Sequence, residues 1–143
     1  MLDPALMRLL TEADEGARRR VAARVSRLAL DRVPVSDPQL RAALALIERY
    51  AFGDSPERDA VQSLVDQLDR IAWDIQERVE AGSADEADYV AAFAKARAVN
   101  AVWYALASDA LDAAAEATYE AAAAIDDPES LSAAVQQSAK RCY

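Results

Sequence analysis

Histidine is missing from the 143 residues of this chain, glycine occurs three times and cysteine once. Each shortage closes a route to function. Without imidazole there is no usual general base near neutral pH, no commonest metal ligand, and no partner for a Ser-His or Cys-His nucleophile. Three scattered glycines cannot build a P-loop or a dinucleotide cradle. Cys142, next to the last residue, has no mate for an internal disulfide, and a reducing, cytoplasmic compartment is the expectation. The chain opens Met1-Leu2-Asp3-Pro4, without the basic and then apolar pattern of a secretory signal. No stretch reaches the roughly 18 uninterrupted apolar residues of a membrane span. Nor does any segment alternate apolar and polar residues as a half-buried strand would. No enzyme, metal or cofactor is expected from this inventory, and the folding units left are helices.

Cations of one region are also absent. Between Arg97 and Lys140 there is no Lys or Arg, and the whole chain carries 16 basic against 25 acidic residues, a net charge of -9. That balance argues against nucleic acid, whose phosphates reward clustered Lys and Arg, and against anionic membrane surfaces. A cationic protein partner fits it better.

What the chain has in abundance is alanine, 35 residues of it, which favours helix but adds little apolar area. The helix punctuation is legible. Asp3-Pro4, Asp37-Pro38, Ser55-Pro56 and Asp127-Pro128 each set an N-cap side chain before a proline, which suits the first helical turn because its missing N–H would be unpaired there. Ser83-Ala84-Asp85-Glu86 reads as a capping box, and Gly53 and Gly82 as helix C-caps. Helices are predicted near residues 4–12, 15–32, 37–52, 56–81, 84–107, 109–125 and 128–140. A break near Ser108-Asp109 is expected, since an unbroken helix over 84–125 would run about 60 Å and overshoot its neighbours. The fold class is all-α: one compact bundle of six to seven helices, with residues 1–143 as a single domain.

Periodicity orients these helices. Val61, Leu64, Val65, Leu68, Ile71, Ala72, Ile75 and Val79 form the apolar seam of the fourth. The fifth, with Tyr89, Val90, Phe93, Val99, Val102, Trp103, Tyr104 and Leu106, is apolar nearly all round and is expected to be central and most buried. In the sixth, Leu111, Ala115, Thr118, Ala122 and Ile125 define the expected inward seam.

Two features stand out as candidate partner-binding residues. Asp109, Asp112, Glu116 and Glu120 recur at steps of three, four and four, so they share a helix face and repel one another with no intrahelical reward; the face is either a solubilising surface on an alanine-rich helix or a site for a basic partner. Trp73 falls on the polar side of its helix, beside Asp66 and Asp69. It is either an interface anchor or covered by a neighbouring helix, since a long bundle helix often buries two sides. Asp66, Asp69 and Asp74 could also be read as an all-carboxylate cation site, against the default of a solvated helix face. Arg18, Arg19, Arg20, Arg24, Arg27 and Arg32 crowd the second helix, able to pair with acids of neighbouring helices or with the acidic stripe of a second copy in a homodimer. Arg97 and Asn100, set among aromatics, need partners if buried, Asn100 through a neighbouring backbone group.

The stretch Asp37-Pro38-Gln39-Leu40-Arg41-Ala42-Ala43-Leu44, then Ile47-Glu48-Arg49-Tyr50-Ala51-Phe52-Gly53, and the later helices with Trp73 and Ala101-Val102-Trp103-Tyr104-Ala105, resemble a group of Ala-rich, all-helical bacterial proteins. Members of that group are predicted to be immunity proteins of polymorphic toxin systems. The resemblance spans about residues 20 to 125. It implies a protein that neutralises a cognate toxin by occupying its active surface, a basic domain being the partner that the chain's charge suits, and it carries over no site residue. The alternative function is a structural or adaptor bundle that self-associates or docks a helix through alanine-lined grooves.

Overall fold

Short polar side chains meet the first free amides of nearly every helix. In a computed structural model, which describes residues 2–140, the chain forms α1 (Pro4–Glu12), α2 (Glu15–Arg32), α3 (Pro38–Glu48), α4 (Pro56–Glu80), α5 (Glu86–Ala105), α6 (Ala110–Ala124) and α7 (Pro128–Ala139), with no strand among the described residues. The four proline-marked starts are all real. Asp3 accepts from the amide of Ala5 at 2.8 Å, Asp37 from Gln39 at 2.8 Å, Ser55 from Arg58 at 3.0 Å and Asp127 from Ser130 at 3.1 Å. Asp14 and Asp109 cap α2 and α6 in the same way. Such caps stabilise a helix by about 1 kcal/mol each.

The capping box before α5 does not form. Asp85 stands at the N-cap without a side-chain bond, and the Ser83 hydroxyl donates instead to the carbonyl of Arg78 at 3.2 Å. Ser83 is taken by the end of α4. There Gly82, at φ +79°, lets the amides of Gly82 and Ser83 turn back onto Val79 and Arg78, a Schellman closure that favours glycine. The same closure ends α3, but Tyr50, at φ +56°, takes the left-handed position there. Gly53 is therefore not the C-cap of α3. Its amide instead donates to the Leu106 carbonyl at 2.8 Å and ties the α3–α4 loop to the end of α5.

At the start of α7, the Ser130 hydroxyl and amide, with Arg32 at 3.0 Å, lower the Asp127 carboxyl from 3.8 to about 2. Because the folded value lies below the unfolded one, this group's stabilisation is complete above about pH 4 and is lost as pH falls towards 2. An NMR titration should place the Asp127 midpoint near 2, and Asp127→Asn should flatten the acid limb of the stability curve; a midpoint at 3.8 would contradict the capping geometry.

Helices α2, α5 and α6 pack mutually at the centre. Around them, α4 lies on α5, α7 on α2, α3 across α4 and α5, and α1 against α6 and α7. The core joins Leu10, Val21, Val25, Val61, Val99 and Val102 to a row of buried alanines on α6. Burying alanine removes little apolar area from water, so close approach of backbones must supply dispersion contact instead. The buried Ser26 hydroxyl shows how close: it donates to Ala22 of its own helix at 2.7 Å and lies 3.3 Å from the Ala101 carbonyl of α5.

Two expected faces turn out differently. On α6 the inward side is Ala110, Ala113, Ala114, Ala117, Thr118, Ala121 and Ala124, while Leu111 and Ala115 are only partly covered and Ala122 is exposed. The seam is rotated by about one residue, roughly 100°, because α2 and α5 both crowd this helix and only small side chains fit between them. On α4, Ile71 is half exposed. The apolar seam outlasts its cover, since α3 has 11 residues and α4 has 25. The last turns of α4 and the first turns of α5 consequently project as a hairpin, and α5 is deeply buried only from Ala96 onward, with Ala92 the one buried residue before it.

Candidate partner-binding surface

Arg97 organises the side of the bundle that carries the candidate residues. It projects from α5 between α4 and α6, donating to Asp69 of α4 at 2.7 Å and to Glu120 of α6 at 2.9 Å. Burial disfavours its charge, but the hydrogen bonds and charges of Asp69 and Glu120 outweigh that penalty and hold the guanidinium above its ordinary pKa. Glu120, whose side chain is 8% exposed, is thus an internal partner and not part of an open stripe. Its placement follows from the rotated α6 seam: it sits three residues after Ala117 and one before Ala121, at the edge of the buried face. Asp69, 46% exposed, is shared between this bridge and solvent.

The remaining candidates are open. Asp66, Asp112 and Glu116 are exposed and have no cationic partner among the described residues, while Asp109 is exposed but works as the α6 cap. Trp73 is 64% exposed, so no neighbouring helix covers it. Its indole N–H donates to Glu77 at 3.1 Å, one turn along α4, which holds the ring against the helix surface. The Asp69–Arg97 contact sets the register of the α4–α5 hairpin. One turn further along α4 faces one turn back along α5, which puts Trp73 level with Phe93. Tyr89 and Phe93 lie 6.0 Å apart between ring centroids, the Arg97 guanidinium sits 5.5 Å from the Phe93 ring, and Val90 beside them is exposed. The hairpin therefore presents an aromatic and aliphatic patch next to Asp66 and Asp69. On the other flank, Tyr104 is pushed up in pKa by burial and by Glu116 and Glu120, so the α6 acids border the same side of α5.

Most arginines of α2 are internal fasteners, with carbonyls more than acids as their targets. Arg18 donates to Leu10 at 2.9 Å and Thr11 at 2.8 Å, closing α1. Arg19, buried, donates to Ala107 and Ser108 at 2.7 Å each and stacks 3.7 Å over Phe52, closing α5 at its junction with α6. Arg20 donates to Ser138 at 3.1 Å, closing α7. Consecutive helical residues point about 100° apart, so three in a row fan out to three helix ends. None of those three helices has a basic residue in its own last turn. Arg27 pairs with Glu48, and Arg32 with Asp127. Arg58 of α4 donates to the Trp103 carbonyl at 3.1 Å and stacks 3.9 Å over its ring, fixing the α4 start to α5.

Asp66, Asp69 and Asp74 do not converge on a cation site: Asp69 is committed to Arg97, and no group of three acidic or cysteine side chains placed to hold a metal occurs among the described residues. Asn100 is half-buried and makes no backbone hydrogen bond through its side chain among the described residues. Cys142 lies outside the described residues. No described helix is long and apolar enough to cross a membrane.

Compared with known protein families, curated proteins and solved structures, the chain has no match.

Proposed function

We propose that this chain is a protein-binding module, immunity-like in action, which covers a cationic face of a protein partner with the side of the bundle around Arg97. The exposure of Trp73 carries this reading. A tryptophan at 64% exposure adds nothing to the core and little to α4 beyond its bond to Glu77. At an interface the same ring buries a large area with few rotors and keeps an N–H for the rim. Around it Asp66 and Asp69, with Asp112 and Glu116 further along, supply negative potential that speeds encounter with a basic surface. The resemblance to predicted immunity proteins supplies the kind of partner, a basic toxin domain occluded at its active surface.

Where a toxin-like gene adjoins this one, the test is calorimetry with its product, at low and high salt. Trp73→Ala is expected to weaken binding by tenfold or more, about 1.4 kcal/mol. Asp66→Lys should slow association and reduce the salt dependence. A complex indifferent to both substitutions would sink the proposal, as would light scattering that finds a stable homo-oligomer with Trp73 hidden inside it.

A further inference from the structure

The outward side of α6 holds a second feature. Leu111, Ala115, Tyr119 and Ala122 follow one another at steps of four, four and three, the spacing of a helix stripe, yet they face away from α2 and α5. α1 lies over them and α7 stands beside their far end, and α1 leaves a groove on either flank. One, of about 610 Å³, runs between α1 and the first turns of α6, floored by Leu2, Met7, Leu111 and Ala115, with Asp112 and Glu116 on its rim. The other, of about 950 Å³, continues past Tyr119 between α1, the end of α6 and α7, over Leu6, Leu9 and Leu131. Tyr119 and Leu2 line both, so the two grooves meet around the start of α1 and together form one bent trough.

We infer that this trough is the docking site of an amphipathic α-helix from a protein partner, apolar along one side and flanked by Lys or Arg. Three observations select that occupant. The α6 stripe has the period of a facing helix, and its alanines permit interaxial distances near the short end of the usual range, about 8 Å. The α6 edge of the rim is uncompensated: Asp112 and Glu116 have no cationic partner among the described residues, α6 itself holds no Lys or Arg, and Lys140 stands at the far end on the α7 side. The floor is apolar over several turns, longer than a single side chain needs. This deepens the protein-binding reading by giving the α6 carboxylates their own ligand, and a peptide test lets the two fail separately.

The probe is a fluorescent peptide of about 18 residues, five helical turns, with leucines on one face and lysines on the other. Anisotropy is measured at physiological ionic strength against the full chain, Ala115→Trp, the double variant Asp112→Lys/Glu116→Lys, and Trp73→Ala. The full chain should bind, Ala115→Trp and the double reversal should each weaken binding at least tenfold, and Trp73→Ala should leave it unchanged. A matched leucine/glutamate peptide should not bind. If Ala115→Trp fails to fold, Ala122→Trp at an exposed position blocks the same trough. No binding, equal binding by the blocked variant, loss with Trp73→Ala, or a dimer of this chain that the blocked variant dissociates would each overturn the inference.

Discussion

Arg97→Met is expected to destabilise the bundle by about 3 kcal/mol, the range for breaking a buried ion pair. The two acids it holds do not contribute equally. Asp69 is half exposed, and a pair of that kind is worth under about 1 kcal/mol. Glu120 has no such recourse: its side chain is 8% exposed and would be left as an unpaired charge between α5 and α6. A second substitution, Glu120→Leu, in the Arg97→Met background should recover most of the loss, because an apolar pair of similar volume often matches or exceeds a buried ion pair. Denaturant melts of the two singles and the double variant provide the cycle. A loss under about 1 kcal/mol for Arg97→Met would mean that water reaches Glu120 and that the bridge is a surface pair.

Arg19→Lys should cost about 2 kcal/mol and Arg19→Ala about 4 kcal/mol, a hydrogen bond to a charged group contributing about 1.5–3. The two guanidinium nitrogens reach Ala107 and Ser108 at 2.7 Å each, a fork that an ammonium cannot reproduce, and the plane rests on Phe52. Burial lowers the Arg19 pKa, against the pull of Glu15 and Asp109, and its Nε is buried without a partner. The side chain is therefore held by those two carbonyls and the ring. Hydrogen exchange gives the local readout: amides around the α5–α6 junction, among them Gly53 and Asp112, should lose protection in Arg19→Lys more than those of α7. Equal loss throughout would point to a general packing defect.

The helix starts were legible because an N-cap followed by proline is a local chemical event, complete within four residues. Faces were legible only where side chains have bulk. On α4, Val61, Leu64 and Val65 declare their seam, and all three are buried. On α6, alanine lies on every side and the lone leucine misleads: Leu111 marks the outer stripe, while the methyl groups of Ala113 and Ala117 mark the core. For that same reason the spacing alone groups Glu120 with the open acids, although it borders the core. Where α4 outruns α3 depends on two helix lengths and not on any pattern within α4, so the exposure of Ile71 could not be seen locally. The guanidinium contacts were equally hidden, because carbonyl acceptors belong to every residue and carry no sequence mark; a lack of basic residues in the last turns of α1, α5 and α7 was the only trace.

The three adjacent arginines of α2 also bear on the order in which the chain can complete itself. Arg19 and Arg20 are made well before their acceptors, which lie 88 and 118 positions later. Until α5, α6 and α7 have been made, Val21, Val25 and Leu28 have little to lie against. Long-range closure of this kind slows folding and prolongs the exposure of apolar surface. α2 must therefore wait, unsealed, until α5, α6 and α7 have left the ribosome.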